Sequence, residues 1–195
     1  MRELKTAIIA VIAFTLVLGL AYPLGMTGVS QVVFPGGADG SMIERDGKVV
    51  GSKLIGQDFS KDPSYFQSRP SVTDYAPAAT FFNNQGPNQQ DLADQLKGYV
   101  DAYLKREQPY TPNLTAADIP SDAATTSASG VDPHISEDNA DIQANRVAQE
   151  RGMDKARVLE LIDDNASRPL FGLGGEKSVN VLELNLDLDR EASDD

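Results

Sequence analysis

The 195-residue sequence contains no cysteine and only one histidine, His134. Without cysteine the chain forms no disulfide and holds no iron–sulfur cluster or cysteine-based zinc site, and thiol catalysis is excluded. A single imidazole excludes every site that needs two. The absence of cysteine does not identify the redox compartment, because a protein without disulfides is compatible with either side of a membrane.

Positive charge is also scarce, with 17 Lys and Arg against 29 Asp and Glu and a net charge of −12. Nucleic acids and anionic lipid surfaces both select for Lys and Arg, so the balance argues against either as a partner. The hydrophobic fraction of 41% is enough for a packed core. The length fits one domain, or a small domain with an anchor.

Charged residues are absent between Lys5 and Asp39, and the stretch from 7 to 25 is the most apolar of the sequence. About 20 apolar residues span a bilayer as a helix. Arg2 and Lys5 precede the stretch, and the next basic residue is Arg45. The positive-inside rule then predicts a single-pass protein of the inner (cytoplasmic) membrane, with a cytoplasmic N-terminus and an extracytoplasmic soluble domain.

A cleaved signal peptide is the alternative interpretation, since Gly19 and Ala21 are small residues near the end of the stretch. The stretch exceeds the ~7–15 apolar residues usual in a signal peptide, and Pro23 makes a poor start for a mature chain. We therefore expect a retained anchor. A cleaved leader would instead indicate an exported solute-binding or hydrolytic domain.

The expected fold class is α+β, with one transmembrane helix before one soluble domain. The expected boundaries are a cytoplasmic tip and anchor over 1–25, a connector over 26–40, the domain over 41–190 and an acidic tail over 191–195.

The domain opens with a hairpin signal, in which Asp46-Gly47 separates Met42–Arg45 from Lys48–Val50. Residues 54–59 are a candidate third strand of that sheet. The segment from 62 to 87 is rich in Pro, Ser, Asn and aromatics without helical or strand periodicity, which predicts a long ordered loop.

Three helices are predicted from periodicity and end signals. They run from Gln89 to about Lys105 after an Asn88 cap, from the Ser136 cap to Gly152, and from the Asp154 cap to about Asn165. At the end of the chain, Leu182, Leu184, Leu186 and Leu188 alternate with polar residues. This alternation predicts a strand with one buried face, with a bulge near Val181.

Candidate catalytic and metal sites are weak. The glycine-rich segment 172–178 precedes a predicted strand, whereas a phosphate loop follows a strand and opens a helix. Ser127 to Gly130 lacks the first glycine of a nucleophile elbow, and 161–165 lacks the spaced oxygens of a calcium loop. The residues indicate a binding module or accessory subunit without a catalytic constellation.

Several short segments, taken in order, are characteristic as a set. They are 51–57 (GSKLIGQ), Tyr65-Phe66, Arg69-Pro70-Ser71, 126–136 (TSASGVDPHIS), 145–148 (NRVA) and 179–185 (VNVLELN). The set resembles the C subunit of the Kdp-type potassium-transporting ATPase over essentially the whole chain. Two segments depart from the family pattern. Residues 80–87 replace a Ser/Gly-rich stretch, and Lys177-Ser178 replaces a Pro-Arg-like pair.

The resemblance implies a non-catalytic accessory subunit of an ATP-driven, high-affinity potassium uptake pump. Its partners would be the ATP-hydrolysing, potassium-translocating and small membrane subunits. It would be needed for assembly and would act as a catalytic chaperone that raises the ATP affinity of the hydrolysing subunit. An extracytoplasmic domain lies across the membrane from ATP, so the effect would pass through the membrane subunits unless the topology is reversed.

On this interpretation no residue is catalytic, no metal is expected, and ATP is involved only through the complex. Gln57, Arg69, Asp132 and His134 are the expected docking or structural loop residues. Small residues of the anchor would pack against a partner helix. They are Ala7, Ala10, Ala13 and Gly19.

Overall fold

The computed structural model describes residues 1–45, 47–79, 84–167 and 175–194. It divides into two compact units, Met1–Ser52 and Lys53–Asp195. The chain combines helices and short sheets, with one apolar N-terminal helix ahead of a mixed domain. The predicted α+β class is confirmed.

The first unit is dominated by one continuous helix over Arg2–Val33, which is long and apolar enough to cross a membrane. It consists of α1 (Arg2–Leu16), a π-helical turn (Val17–Ala21) and α2 (Tyr22–Val33), and a short α3 (Pro35–Ala38) follows. The helix therefore extends beyond residue 25, into the segment interpreted as a connector. None of its most apolar window is buried by the rest of the protein.

The predicted hairpin is confirmed, with β1 (Met42–Arg45) and β2 (Lys48–Ser52) paired antiparallel. Gly47 has φ +72°, the left-handed conformation that favours glycine in a tight hairpin turn. Asp46, the other half of the turn signal, lies outside the described residues. The hairpin belongs to the same compact unit as the apolar helix Arg2–Val33.

The third strand expected over 54–59 is wrong, because these residues are turn and loop. Their polar backbone is bonded elsewhere: the Gly56 N–H donates to the Val131 carbonyl at 2.7 Å. A loop-to-loop contact thus replaces the expected ladder.

The second unit contains three long helices at the predicted places, α4 (Gln90–Glu107), α6 (Glu137–Arg151) and α7 (Lys155–Asp164). Ser136 caps α6 by accepting the Asn139 N–H, and Asp154 caps α7 by accepting the Ala156 N–H. The predicted Asn88 cap of α4 is wrong, because the N-cap is Gln89 and no side chain caps that helix. A short α5 (Ser121–Ala124) precedes α6.

A small antiparallel sheet joins distant parts of this unit. It contains β3 (His134–Ser136), β4 (Ala166–Ser167) and β5 (Ser178–Asn180), with β5 in the centre. Val179 is the register partner of both Ile135 and Ala166.

The strand predicted over 182–188 is wrong, because the segment is the helix α8 (Val181–Asp194). Val181, Leu184 and Leu188 are fully buried and Asn185 is nearly so, and this i, i+3, i+4, i+7 spacing is that of one helix face. Asn180 Oδ1 accepts the N–H groups of Leu182 and Glu183, which starts the helix.

The main core lies between α6, α7, α8 and the sheet. Its buried members include Ala144, Val147, Val158, Ile162 and Leu184. The described part of the predicted 62–87 loop has no helix or strand, and it contributes Phe66, with no exposed surface, to this core. The loop is therefore ordered by packing rather than by a backbone ladder.

Candidate functional site

Arg69, one of the four residues selected from the sequence, joins its loop to the segment before α6. Its Nη1 donates to Asp132 Oδ2 at 3.2 Å, and its Nη2 donates to the Thr126 carbonyl at 3.2 Å. The Arg69 side chain is three-quarters buried. The planar guanidinium thus fixes two loops that are about 60 residues apart in sequence.

His134 contacts the other carboxylate oxygen of Asp132, Oδ1. Oδ1 accepts the His134 backbone N–H at 3.0 Å, and His134 Nδ1 lies 3.6 Å away. Burial disfavours the charged form of Asp132, but the hydrogen bonds from His134 and the charge of Arg69 outweigh it, so its pKa lies below the ordinary value. We call Arg69, Asp132 and His134 the Arg69 cluster.

Gly56, the residue before Gln57, packs against the loop that contains Asp132. A Cβ built on Gly56 would be 2.6 Å from the Asp132 carbonyl oxygen, so only glycine allows this approach. Ser71 Oγ, in the loop that carries Arg69, donates to the Gly130 carbonyl at 2.6 Å and adds another bond between that loop and the segment before α6. Arg69, Asp132 and His134 therefore lie together, and Gln57 follows the residue, Gly56, that packs against Asp132.

The Arg69 cluster lines an open cavity of about 360 Å³. Charges of both signs surround it, from Asp122, Glu176 and Lys177 in addition to the cluster. Ser136 Oγ donates to Asp122, so this carboxylate is already engaged by the start of α6. The region is polar, and the Arg69 and Asp132 charges are paired within it.

Sequence reasoning missed the side chains that support this region from α6 and α8. Asn185 accepts the Phe66 N–H and donates to the Phe66 carbonyl, both at 2.9 Å. Gln143 likewise accepts the Gln67 N–H at 2.9 Å and donates to the Gln67 carbonyl at 3.0 Å. Two amide side chains thus replace the missing strand partner and hold the backbone just before Arg69.

Arg146 completes this support. Its Nη1 donates to the carbonyls of Pro63 and Tyr65, and its Nε donates to both oxygens of Glu107. Arg146 and Glu107 are fully buried. Arg146 lies within 145–148 (NRVA), one of the segments that carry the family resemblance, but no role was predicted for it.

The hydroxyls that a serine hydrolase would require are bonded elsewhere. Ser127 and Ser129 bond to each other, and Ser136 bonds to Asp122. Among the residues the structure describes, no group of three or more acids and histidine is placed to hold a metal ion. Residues 172–174 of the glycine-rich segment lie outside the described residues.

Comparison with known proteins agrees with this picture. Residues 4–190 match the sequence profile of the KdpC family, described as K+-transporting ATPase, c chain. The chain is 46% identical to the Potassium-transporting ATPase KdpC subunit of Bradyrhizobium diazoefficiens, covering 99% of each protein. The subunit of the same name from Rhodopseudomonas palustris strain BisB18 is 44% identical, covering 97% of this chain and 98% of that protein.

A third relative of that name, from Polaromonas naphthalenivorans, is 46% identical over 95% of this chain and 93% of its own length. These matches agree with the resemblance drawn from the short segments. The chain therefore belongs to the KdpC family, an accessory rather than the catalytic subunit of the potassium-transporting ATPase.

Proposed function

We propose that this chain is a non-catalytic assembly subunit of an ATP-driven, high-affinity potassium uptake pump. It spans the inner membrane once, with a cytoplasmic N-terminus and an extracytoplasmic domain. It associates with the ATP-hydrolysing, potassium-translocating and small membrane subunits. In the assembled pump it acts as a catalytic chaperone that raises the ATP affinity of the hydrolysing subunit.

The apolar helix Arg2–Val33 carries this proposal. Leu18 and Leu24 expose more than half of their surface, and the protein itself buries none of the apolar window. Apolar surface on this scale requires lipid or a partner helix to cover it. The basic residues Arg2 and Lys5 stand at one end only, which favours a cytoplasmic N-terminus.

The Arg69 cluster supports a docking role for the domain. Its charges are paired, its backbone is held by buried side chains, and it lines an open cavity. A surface fixed in this way loses little conformational entropy when a partner binds. We assign Gln57, Arg69, Asp132 and His134 to that surface.

An effect on ATP affinity must cross the membrane, because the domain and the nucleotide lie on opposite sides. We assign this coupling to the helix and its contacts with the other membrane subunits. The alternative is a direct nucleotide contact by this domain, and it requires the opposite orientation.

Labelling of single cysteines in intact cells tests the orientation, and the cysteine-free chain gives no background. Lys61→Cys places a thiol on an exposed residue of the domain, and Glu3→Cys places one at the N-terminal end. A membrane-impermeant maleimide should label Lys61→Cys in intact cells and Glu3→Cys only after lysis. The reverse pattern would contradict the proposed orientation.

The ATP dependence of the purified pump tests the chaperone role. Pump assembled with Arg69→Ala should show a raised KM for ATP, whereas Lys61→Ala should match the wild type. Association of the Arg69→Ala subunit with the pump is measured in the same preparation. If association is weakened but the KM for ATP is unchanged, the result counts against the chaperone role.

A further inference from the structure

A second cavity, of about 230 Å³, is lined by α4 and by the loop that carries Arg69. It is separate from the cavity described above, because no member of the Arg69 cluster lines it. Its wall is mostly apolar and includes four aromatic rings, those of Phe59, Tyr75, Tyr99 and Tyr103. A concave, mostly apolar site with a few polar groups is the usual form of a binding site for a small organic molecule.

Two of these tyrosines use their hydroxyl hydrogens within the protein. The Tyr103 hydroxyl donates to Asn139 Oδ1 at 2.9 Å, and the Tyr75 hydroxyl donates to the Arg69 carbonyl. What these residues offer to a ligand is therefore mainly the ring. Aromatic rings attract one another beyond their apolar contact, so an aromatic ligand suits this wall best.

Tyr75 is held in a backbone conformation that tyrosine rarely adopts. Asp74 and Tyr75 have φ +50° and +57°, and the Ala76 N–H donates to the Thr73 carbonyl across them. Glycine or asparagine is usual at such turn positions, and a bulky residue there is strained. The surroundings hold this turn, since the Tyr75 N–H donates to Ser71 Oγ at 3.1 Å. Strain of this kind is concentrated at ligand-binding and other functional sites, and here it places a ring in the cavity wall.

Arg106 gives the cavity a cation with an unused donor. Its guanidinium carbon lies 4.9 Å from the centre of the Tyr103 ring. Its Nε donates to Glu107 Oε1 at 2.6 Å, and its Nη1 donates to Gln67 Oε1 at 2.7 Å. Among the residues that the structure describes, none accepts a hydrogen bond from Nη2. The Arg106 side chain is 30% exposed, so an acceptor from outside the protein can reach it.

The charges around Arg106 do not balance. Glu107 is paired with both Arg106 and Arg146, so two guanidinium groups share one carboxylate. Burial lowers the pKa of Arg146, and the charge of Arg106 adds to this effect. An acid, Asp58, also lines the cavity, but it is exposed and its Oδ1 accepts the Ser60 N–H at 2.8 Å. One negative charge beside Arg106 would restore the balance, whereas Asp58 would repel a ligand with several.

We propose that this cavity binds a small aromatic acid with one carboxylate group. The aromatic ring packs against the tyrosine rings, and the carboxylate accepts a hydrogen bond from Arg106 Nη2. The ligand supplies the negative charge that the two guanidinium groups lack. A cavity of about 230 Å³ is below the ~300–1,000 Å³ typical of drug-sized ligands, which favours a molecule with a single ring. This inference goes beyond the proposed function and does not depend on it.

Calorimetric titration of the purified full-length chain in detergent with hydrocinnamate tests the inference. Two related probes separate the parts of the ligand: hydrocinnamide keeps the ring without the charge, and acetate keeps the charge without the ring. We expect saturable binding of hydrocinnamate at a single site. The other two probes should bind at least about ten-fold more weakly, because each lacks either the charge-assisted hydrogen bond or the ring contact.

Two variants locate the site. Arg106→Gln removes the donor, and Ala102→Leu fills the mouth of the cavity from an exposed position of α4. Each should weaken hydrocinnamate binding at least about ten-fold. The matched controls are Lys105→Gln and Ala93→Leu, at exposed positions of α4 that do not line the cavity, and Ala93 lies about 180° around the helix from Ala102. Both controls should bind like the wild type, which also accounts for uptake of the probe by the detergent.

Absence of saturable binding to the wild-type chain would overturn the inference, and so would equal binding of hydrocinnamide. Unchanged binding in Ala102→Leu would also overturn it, and this variant decides the matter if Arg106→Gln does not fold. Co-purification of the pump subunits is measured in parallel. If Ala102→Leu loses those subunits and the wild-type chain does not bind the probe, the cavity is a subunit contact and the inference is wrong. A wild-type chain that binds the probe but retains no pump subunit would support the inference and contradict the proposed function.

Discussion

The Arg146 guanidinium donates from Nε to both carboxylate oxygens of Glu107, at 3.1 and 3.2 Å, with both side chains buried. The same guanidinium holds the backbone of the loop that carries Arg69 through the Tyr65 carbonyl. One buried pair thus connects α4, α6 and the candidate docking region.

Replacing one member of this pair should be strongly destabilising. Glu107→Gln leaves a buried guanidinium without its counter-charge, and we expect a loss of about 3–5 kcal/mol in the free energy of unfolding. Chemical denaturation of the full-length chain in detergent measures it. The exposed pair Lys97–Asp101 is the control, because Asp101→Asn should cost less than about 1 kcal/mol. Equal effects would contradict the structural role of the buried pair.

Gly56 is expected to be intolerant of a side chain. A Cβ there meets the Asp132 backbone, so Gly56→Ala should lower stability by about 1–3 kcal/mol and loosen the Arg69 cluster. Gly98 lies in the exposed face of α4 with open space at its Cβ position. Gly98→Ala should therefore stabilise the chain by about 0.5–1 kcal/mol. Thermal unfolding of both variants measures this contrast. Unfolding midpoints that shift in the same direction would contradict it.

Asp132 gives the Arg69 cluster a defined pH dependence. Its folded-state pKa is lowered, so the stabilisation is fully present above the unfolded value of about 3.9 and is lost as the pH falls through the folded value. The stability difference between wild type and Asp132→Asn should therefore be large at neutral pH and shrink below about pH 4. Asp164→Asn, at an exposed helix end, provides the comparison. A difference independent of pH would contradict the ionic role of Asp132.

Asn180 should act as both a helix cap and a tether. Its Oδ1 accepts two N–H groups of α8, and its Nδ2 donates to the Lys53 carbonyl at 2.8 Å. Asn180→Ala removes both interactions and should cost about 1–2 kcal/mol, whereas Asn180→Asp keeps the cap and should cost less. Hydrogen exchange over the start of α8 measures local fraying. Equal exchange in the two variants would show that the cap contributes nothing.

The elements predicted correctly from the sequence are those with local signals. Ser136 and Asp154 cap their helices with their own side chains, and Gly152 ends α6 in the left-handed conformation, with φ +67°. The hairpin follows from its turn residues. These interactions lie within a few positions in sequence, so the local sequence predicts them.

The errors arise where distant contacts decide the structure. The alternating leucines of 182–188 fit a strand, but burial selects Val181, Leu184 and Leu188, which share one helix face. Asn180 was available as a cap signal, with Glu183 three residues later as in a capping box. The strand prediction used the leucine alternation alone and did not consider this cap.

The candidate site was only partly predictable. Arg69, Asp132 and His134 were selected from the family resemblance, and the structure brings them together. The support from Gln143 and Asn185 was not predictable, because each bonds to a backbone more than 70 residues away. Asn185 does lie in 179–185 (VNVLELN), one of the segments that carry the family resemblance, but that segment does not reveal the contact with Phe66.

The most direct test of the proposed function uses the tagged full-length chain, purified from detergent-solubilised membranes of cells that express the pump. We expect a P-type ATPase and a large channel-like subunit to co-elute, with potassium-stimulated ATPase activity that is lost when this chain is omitted. Recovery of a soluble protein without residues 1–25 and without any membrane partner would contradict this function. It would indicate an exported binding or hydrolytic domain instead.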